Sequence, residues 1–158
     1  MSRRYGKKWG YSEPRQAPTK EDMARLESIS KSHIAARLTD FGFTVTDISK
    51  SSPFDLLATF PHYSLAVNVR HRWSKSRISI HRHEITARIE NSIKVDDKIL
   101  VFCTPQLADC YISLSRLYNT PDKSGFDIYV VGEYYVIERY TTNSLSALRK
   151  ILESSEHL

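Results

Sequence analysis

The feature that most constrains the fold is a short apolar run, Ile99-Leu100-Val101-Phe102, within residues 98–104. Its length fits one strand, and the absence of polar alternation predicts a strand buried at the centre of a sheet. The chain has 158 residues, of which 41% are hydrophobic and 26% are charged. This composition is typical of a globular protein, and the length is that of one domain with a sizeable core.

A helix, three strands, a short fourth strand and a second helix are predicted before the central strand. Thr19 can cap the first helix, whose apolar stripe runs to Phe41, and Gly42 can end it in a left-handed conformation. The second helix is predicted over 83–95, from an apolar residue at every fourth position. The strands, rich in β-branched and aromatic residues, are predicted over 43–48, 54–60, 64–70 and 77–81.

Beyond position 105 the patterns are mixed. The elements predicted there are a short helix over 111–118, a hairpin of residues 127–131 and 134–140 joined at Gly132-Glu133, and a closing amphipathic helix that Asn143 could cap. The fold class is therefore α/β: a mixed central sheet flanked by helices in the order α-β-β-β-α-β, followed by the hairpin and the last helix. Residues 19–158 are expected to form this single domain.

The net charge of +5 is concentrated in the first twenty residues, which hold six basic residues and one acidic residue. Residues 1–18 have no apolar period and contain Gly and Pro, so we expect a disordered tail. Aromatic rings can stack on bases while cations meet phosphates, so the tail suits nucleic acid. The alternative is a solubilising tail with incidental aromatics. The candidate contacts in the tail are Arg3, Arg4, Lys7, Lys8 and Trp9.

Three polar residues stand out in the strand region. Asp55 opens the second strand, and Asn68 and Arg70 lie two positions apart on the third. Strand alternation places positions two apart on one face, so Asn68 and Arg70 should share a face while the apolar residues between them point into the core. A plainer interpretation of Asp55 is a residue that flanks the turn after Pro53.

Four segments taken together resemble those of the PD-(D/E)xK, or restriction-endonuclease-like, nuclease superfamily. They are residues 30–38, 42–45, 53–56 and 67–70, and the similarity is greatest to the branch of archaeal Holliday-junction resolvases. The resemblance implies a restriction-endonuclease-like fold whose carboxylates hold Mg²⁺ or Mn²⁺ against a scissile phosphate. It assigns Asp55 to the first acid, and it places Asn68 and Arg70 where the family has a second acid and a lysine.

These departures weaken the implied metal site. An amide oxygen brings no charge to a hard cation, and Arg70 presents a planar fork suited to clamping phosphate. The family's helix acid would fall near Lys31. Glu27, one turn earlier, could replace it, or could pair with Lys31 for about 0.3–0.5 kcal/mol. If the site is active, Asp55 is the metal ligand, and the candidate catalytic residues are Asp55, Asn68, Arg70, Glu27 and Glu84.

A basic stretch follows the third strand. Residues 70–83 contain five Lys or Arg residues, three histidines, one tryptophan and no acid. Exposed cations release counterions from phosphates, so this stretch predicts a nucleic-acid-binding surface. The alternatives are a solvated loop with Trp73 packed beneath it and a metal pair formed by His81 and His83. The candidate nucleic-acid contacts are Arg70, Arg72, Trp73, Lys75, Arg77 and Arg82.

Three functions remain open from the sequence. The preferred one is a nucleic-acid-binding protein whose nuclease-like metal site has decayed, with no certain cofactor and with DNA favoured over RNA. The second is an active, structure-selective endonuclease that uses Mg²⁺ or Mn²⁺, so enzymatic activity is undecided. The third is a non-catalytic scaffold or partner subunit. A homodimer is compatible with each.

Composition also excludes some classes. No apolar run approaches the roughly 20 residues that a membrane helix needs, and no apolar segment follows the basic N-terminus as in a secretory signal. Cys103 and Cys110 are too few for a disulfide framework or a cysteine-based zinc site. We therefore expect a cytoplasmic, reducing environment and no membrane partner.

Overall fold

The computed structural model of the protein describes residues 19–71, 78–104, 107–119 and 128–137. The predicted basic tail and the predicted closing helix lie outside these residues. In chain order the elements are α1 (Lys20–Phe41), β1 (Thr44–Asp47), β2 (Leu56–Phe60), β3 (Tyr63–His71), β4 (Ile78–His81), α2 (Arg82–Glu90), β5 (Asp97–Thr104), β6 (Leu107–Ser113), α3 (Leu114–Tyr118), β7 (Ile128–Val131) and β8 (Tyr134–Ile137).

Five strands form one mixed sheet in the order β1-β2-β3-β5-β6. Strands β3 and β5 are parallel, and the other neighbours in this sheet are antiparallel. A parallel pair needs a crossover connection, which here contains β4 and α2. A second sheet has the order β4-β8-β7. The mixed sheet is confirmed, as are the element order predicted over residues 19–104 and the hairpin that turns at Gly132.

Both ends of α1 follow the sequence prediction. The backbone N–H of Asp22 donates to Thr19 Oγ1 at 3.0 Å, and the Thr19 N–H donates to Asp22 Oδ2 at 3.2 Å, which completes a capping box. Gly42 ends the helix with φ of 116°. The apolar stripe is only partly covered, however, because Met23 and Ile29 are exposed in the first half of the helix.

The central strand is covered on both faces, as its apolar run predicted. Ile99 and Val101 of β5 pack in the same cluster as the buried face of α1. Leu100 and Phe102 pack in a second cluster with α2, α3 and the three-stranded sheet. The sheet therefore has helices on both sides, and none of the helices in the described residues is long and apolar enough to cross a membrane.

The helix predicted over 111–118 is wrong in its first part. Residues Cys110, Tyr111 and Ile112 are buried in β6, which pairs antiparallel with β5. The short helix α3 begins only after Ser113. Pairing with the central strand outweighs local preference here, because it buries apolar side chains on both faces of β6.

Helix α2 is also shorter than predicted, ending at Glu90 rather than near position 95. The reason is a lysine from the next strand that takes over the last carbonyl oxygens of the helix. Lys98 Nζ donates three hydrogen bonds, to the carbonyl oxygens of Arg88, Ile89 and Asn91 at 3.0, 2.8 and 2.8 Å. The helix can therefore end early without leaving these carbonyl oxygens unsatisfied.

Gly42→Ala is expected to destabilise the protein more than the matched change Gly132→Ala. Both glycines have positive φ, 116° and 58°, which strains any side chain by about 1–2 kcal/mol. A Cβ at position 42 would also lie 3.0 Å from Phe60 Cε1, whereas no described atom lies within 4 Å of a Cβ at position 132. We expect losses of about 2–3 and about 1 kcal/mol, measured by urea unfolding. Equal losses would contradict the packing argument.

Candidate functional site

Asp55 is held between the ends of β1 and β3. Its N–H donates to the Val67 carbonyl at 2.9 Å, and its carbonyl accepts from the Ile48 N–H at 3.0 Å. Its carboxylate Oδ2 accepts from the backbone N–H of Val69 at 2.7 Å and from Asn68 Nδ2 at 3.0 Å. The Asp55 carboxylate is therefore hydrogen-bonded to β3. A residue that only flanked the turn after Pro53 would not need these bonds.

Asn68 is buried, with 5% of its surface exposed, and its amide donates to the Asp55 carboxylate. A second carboxylate at this position could not donate a hydrogen bond when ionised, and it would repel Asp55. The amide thus makes position 68 a neutral hydrogen-bond donor to Asp55 rather than a second negative charge. Where the family's chemistry needs two negative groups that share a cation, this chain has one negative group satisfied by a neutral donor.

Arg70 lies on the same face of β3 as Asn68, as strand alternation predicted, and it reaches α2. Its Nη2 donates to Glu84 Oε1. Arg88, one turn after Glu84, places Nη1 3.8 Å from the same oxygen and donates to the Glu84 carbonyl at 3.2 Å. One carboxylate on α2 therefore lies between two guanidinium groups.

Arg88 was not singled out from sequence. Its spacing of four residues from Glu84 was the available signal, because positions four apart share a helix face. Burial and the nearby Arg70 guanidinium lower the pKa of Arg88, while the carboxylates of Glu84 and Asp55 act in the opposite direction. An arginine stays protonated even so, so Arg88 remains a cation at the centre of this cluster.

The resulting cluster contains two carboxylates and two guanidinium groups: Asp55, Glu84, Arg70 and Arg88. In the described residues, Asp55 belongs to no group of three or more His, Cys, Asp or Glu side chains close enough to share a cation. Mg²⁺ is usually held by one or two carboxylates together with water and substrate phosphates. In this arrangement both carboxylates already accept hydrogen bonds, Asp55 from Asn68 and the Val69 N–H and Glu84 from Arg70.

Glu27 is exposed on α1, which packs on the face of the sheet opposite to α2. Of the two alternatives for Glu27, the ion pair with Lys31 is wrong. Lys31 Nζ instead lies 2.9 Å from Asp47 Oδ2 and donates to Ser49 Oγ at 3.3 Å. Hydrogen bonds from Ser49, and then from Lys31, hold the pKa of Asp47 well below its usual value.

The histidines after the basic stretch have structural contacts. His81 caps α2, because its Nδ1 accepts from the His83 N–H at 3.1 Å. Its ring also packs edge-on against Tyr134, with ring centroids 5.2 Å apart.

Arg82, a predicted nucleic-acid contact, is exposed and lies over the Tyr135 ring at 5.7 Å. The predicted contacts outside the described residues are Arg3, Arg4, Lys7, Lys8, Trp9, Arg72, Trp73, Lys75 and Arg77.

The architecture defined by this sheet and its crossover is the restriction-endonuclease-like nuclease fold. Solved structures that match the chain include a resolvase and a homing endonuclease. Hjc, a Holliday junction resolvase from Archaeoglobus fulgidus, has a TM-score of 0.52 and 13% identity, over 72% of this chain and 84% of its own. The bacterial homing endonuclease I-Ssp6803I has a TM-score of 0.53 and 13% identity, over 89% of this chain and 96% of its own.

No family model and no curated protein matches the chain in sequence. At 13% identity the two structural likenesses establish the fold alone. The resemblance identified from short segments of the sequence is confirmed at that level.

Asn68→Asp is expected to destabilise the protein in a pH-dependent way. The new carboxylate would face Asp55, so the pair would hold a shared proton with a raised pKa. An acid whose pKa is raised in the folded state loses stability as pH rises, so the loss should be larger at pH 8 than at pH 5 by at least about 1 kcal/mol. Urea unfolding at both pH values measures this difference. Asn68→Ala, which removes the donor without adding charge, should lose about 1–3 kcal/mol at both.

Proposed function

We propose that the protein binds nucleic acid through the α2 side of the sheet and contacts phosphate directly through Arg70. The observation that carries this proposal is the pairing of Arg70 with Glu84 at the position where the fold family places a lysine beside a metal. An arginine that already holds a carboxylate oxygen can hold a phosphate oxygen with the same planar fork. The amide of Asn68 supports the same conclusion, because it satisfies Asp55 without a cation.

The accessibility of the cluster supports phosphate contact. The side chains of Arg70 and Glu84 are 32% and 38% exposed, whereas Arg88 is only 16% exposed. A phosphate can therefore approach Arg70 from solvent and compete with Glu84 for it. Arg88 retains Glu84 during this exchange, so the displaced carboxylate is not left unpaired in a partly buried setting.

The wider binding surface extends this contact. The basic residues between positions 72 and 77 continue directly from β3, and the charged aromatic tail of residues 1–18 adds a second source of cations. Such a surface acts through charge and shape, so we propose a preference for branched or single-stranded DNA over a particular base sequence. A homodimer would present two such surfaces to one branched molecule.

Arg70→Gln is expected to weaken binding about tenfold, because one charged hydrogen bond to phosphate is lost. The dependence of log K on log salt should also fall by about 0.9 in magnitude. Fluorescence anisotropy with a labelled four-way DNA junction, a matched duplex and a single strand measures both quantities in the presence of EDTA.

The matched control for this prediction is Arg25→Gln. Arg25 carries the same charge on α1, where it is 69% exposed and pairs only with Asp22 among the described residues. It should bind almost as the unchanged protein does. Equal affinities for all three proteins would contradict the role of Arg70, and no binding at physiological salt by the unchanged protein would favour a partner-subunit role instead.

A second candidate function is a divalent-metal-dependent endonuclease. The observation in its favour is that Asp55 and Glu84 both act electrostatically on Arg88, so two carboxylates lie on the same side of the sheet. For such a site to operate, Arg70 would first have to leave Glu84. The proposal of direct phosphate binding does not require this rearrangement.

Glu84→Gln separates the two candidate functions. If Arg70 binds phosphate, removal of the competing charge should tighten binding by about threefold to tenfold. If Glu84 takes part in hydrolysis, the same change should abolish any cutting of the junction seen with Mg²⁺ or Mn²⁺. Cleavage by the unchanged protein that is lost in both Glu84→Gln and Asp55→Ala would overturn the preferred proposal.

A further inference from the structure

A second polar cluster lies on the α1 side of the sheet, away from Asp55. It brings together His33 of α1, Cys103 of β5 and Asp109 of β6. One ligand atom from each, an imidazole nitrogen, a sulfur and a carboxylate oxygen, all lie within 4.8 Å of one another. Cys103 and Asp109 are 5% and 3% exposed, whereas the His33 side chain is 45% exposed. The cluster is therefore buried at its base and open to solvent at one ligand.

The spacing fits two ligands of a tetrahedral ion. His33 Nε2 and Asp109 Oδ2 are 3.3 Å apart. Zinc–nitrogen and zinc–oxygen bonds of about 2.0–2.1 Å, at a tetrahedral angle, place the two ligand atoms about 3.3–3.4 Å apart. The Cys103 Sγ lies within 4.8 Å of both atoms. It must approach them by up to about 1 Å, because a zinc–sulfur bond of about 2.3 Å places the sulfur about 3.5 Å from the other ligand atoms.

We propose that His33, Cys103 and Asp109 bind a zinc-class divalent cation, with solvent as the fourth ligand. One thiolate and one imidazole select a borderline-soft ion such as Zn²⁺ over Mg²⁺ or Ca²⁺, which prefer oxygen alone. Binding replaces the proton of the Cys103 thiol, which passes to the buffer as the metal–sulfur bond forms. This site involves none of the residues of the proposed nucleic-acid surface.

Arg37 competes with the ion. Its Nε lies 3.6 Å from Asp109 Oδ2, so in the absence of metal the Asp109 carboxylate faces both Arg37 and His33. A positive group this close lowers the affinity of a site for a cation. Arg37→Gln should therefore bind the metal more tightly than the unchanged protein.

The ion would join α1 to two neighbouring strands of the main sheet. Cys103 lies opposite His71 in the register of β5 and β3. His71 Nδ1 in turn forms a 2.9 Å hydrogen bond with Ser30 Oγ of α1. The metal would strengthen the connection between α1 and this end of the sheet that the hydrogen bond between His71 and Ser30 already makes.

Cobalt titration of the full-length protein tests this site, because Co²⁺ bound to a thiolate gives a charge-transfer band in the near ultraviolet. We expect a 1:1 complex with this band and with tetrahedral visible bands, displaced by Zn²⁺. Cys103→Ser should lose the charge-transfer band. The matched control is Cys110→Ser: Cys110 is buried in the cluster on the opposite face of the sheet, so this change should retain the band.

His33→Gln keeps the test decisive if a core substitution fails to fold, because His33 is half exposed. Its affinity for Co²⁺ should fall by more than the roughly 10–100-fold that loss of a supporting partner usually costs. Zn²⁺ should raise the Tm of the unchanged protein and not that of His33→Gln. A complex without a charge-transfer band, or a band that survives in Cys103→Ser, would overturn the proposal, as would the absence of any binding at micromolar Co²⁺.

Discussion

Burial of β3 on both faces is the constraint on which the rest of the structure depends. The strand lies between β2 and β5 in the main sheet, with a core cluster on each side. A polar side chain on such a strand must find its partner inside the protein, since an unsatisfied buried group is costly. The buried Asn68 meets Asp55. At the partly exposed end of the strand Arg70 meets Glu84 and His71 meets Ser30.

These partners come from different elements, so the polar residues of β3 also determine which chain segments are brought together. On the α2 side they assemble charges that balance one another. One carboxylate of α2 lies against two guanidinium groups, and the phosphate contact that we propose would exchange one of these pairings for another. Hydrolysis through a bound cation uses carboxylates as metal ligands. Here Asp55 and Glu84 instead accept hydrogen bonds from an amide and a guanidinium group.

Hydrophobic patterning predicted most of the fold, because the buried strands and the long first helix carry clear periods in the sequence. Both ends of α1 were also predictable from the sequence, because Thr19 and Gly42 cap the helix through local backbone geometry. The prediction failed at β6, where pairing with β5 overrides local preference. In the site, Asn68 and Arg70 followed from strand alternation. The cluster of His33, Cys103 and Asp109 did not, because contacts between residues so distant in the chain leave no periodic signal.

Lys98 has a consequence that reaches beyond the end of α2. Its ammonium group holds the carboxyl end of that helix and lies 6.0 Å from the centre of the Phe54 ring, next to Asp55. Burial lowers the pKa of Lys98, yet its three donors are all committed to carbonyl oxygens. One amine thus fastens the helix of Glu84 and Arg88 and touches the segment of Asp55. Loss of its charge would remove the three hydrogen bonds at the end of α2 and the contact with the Phe54 ring together.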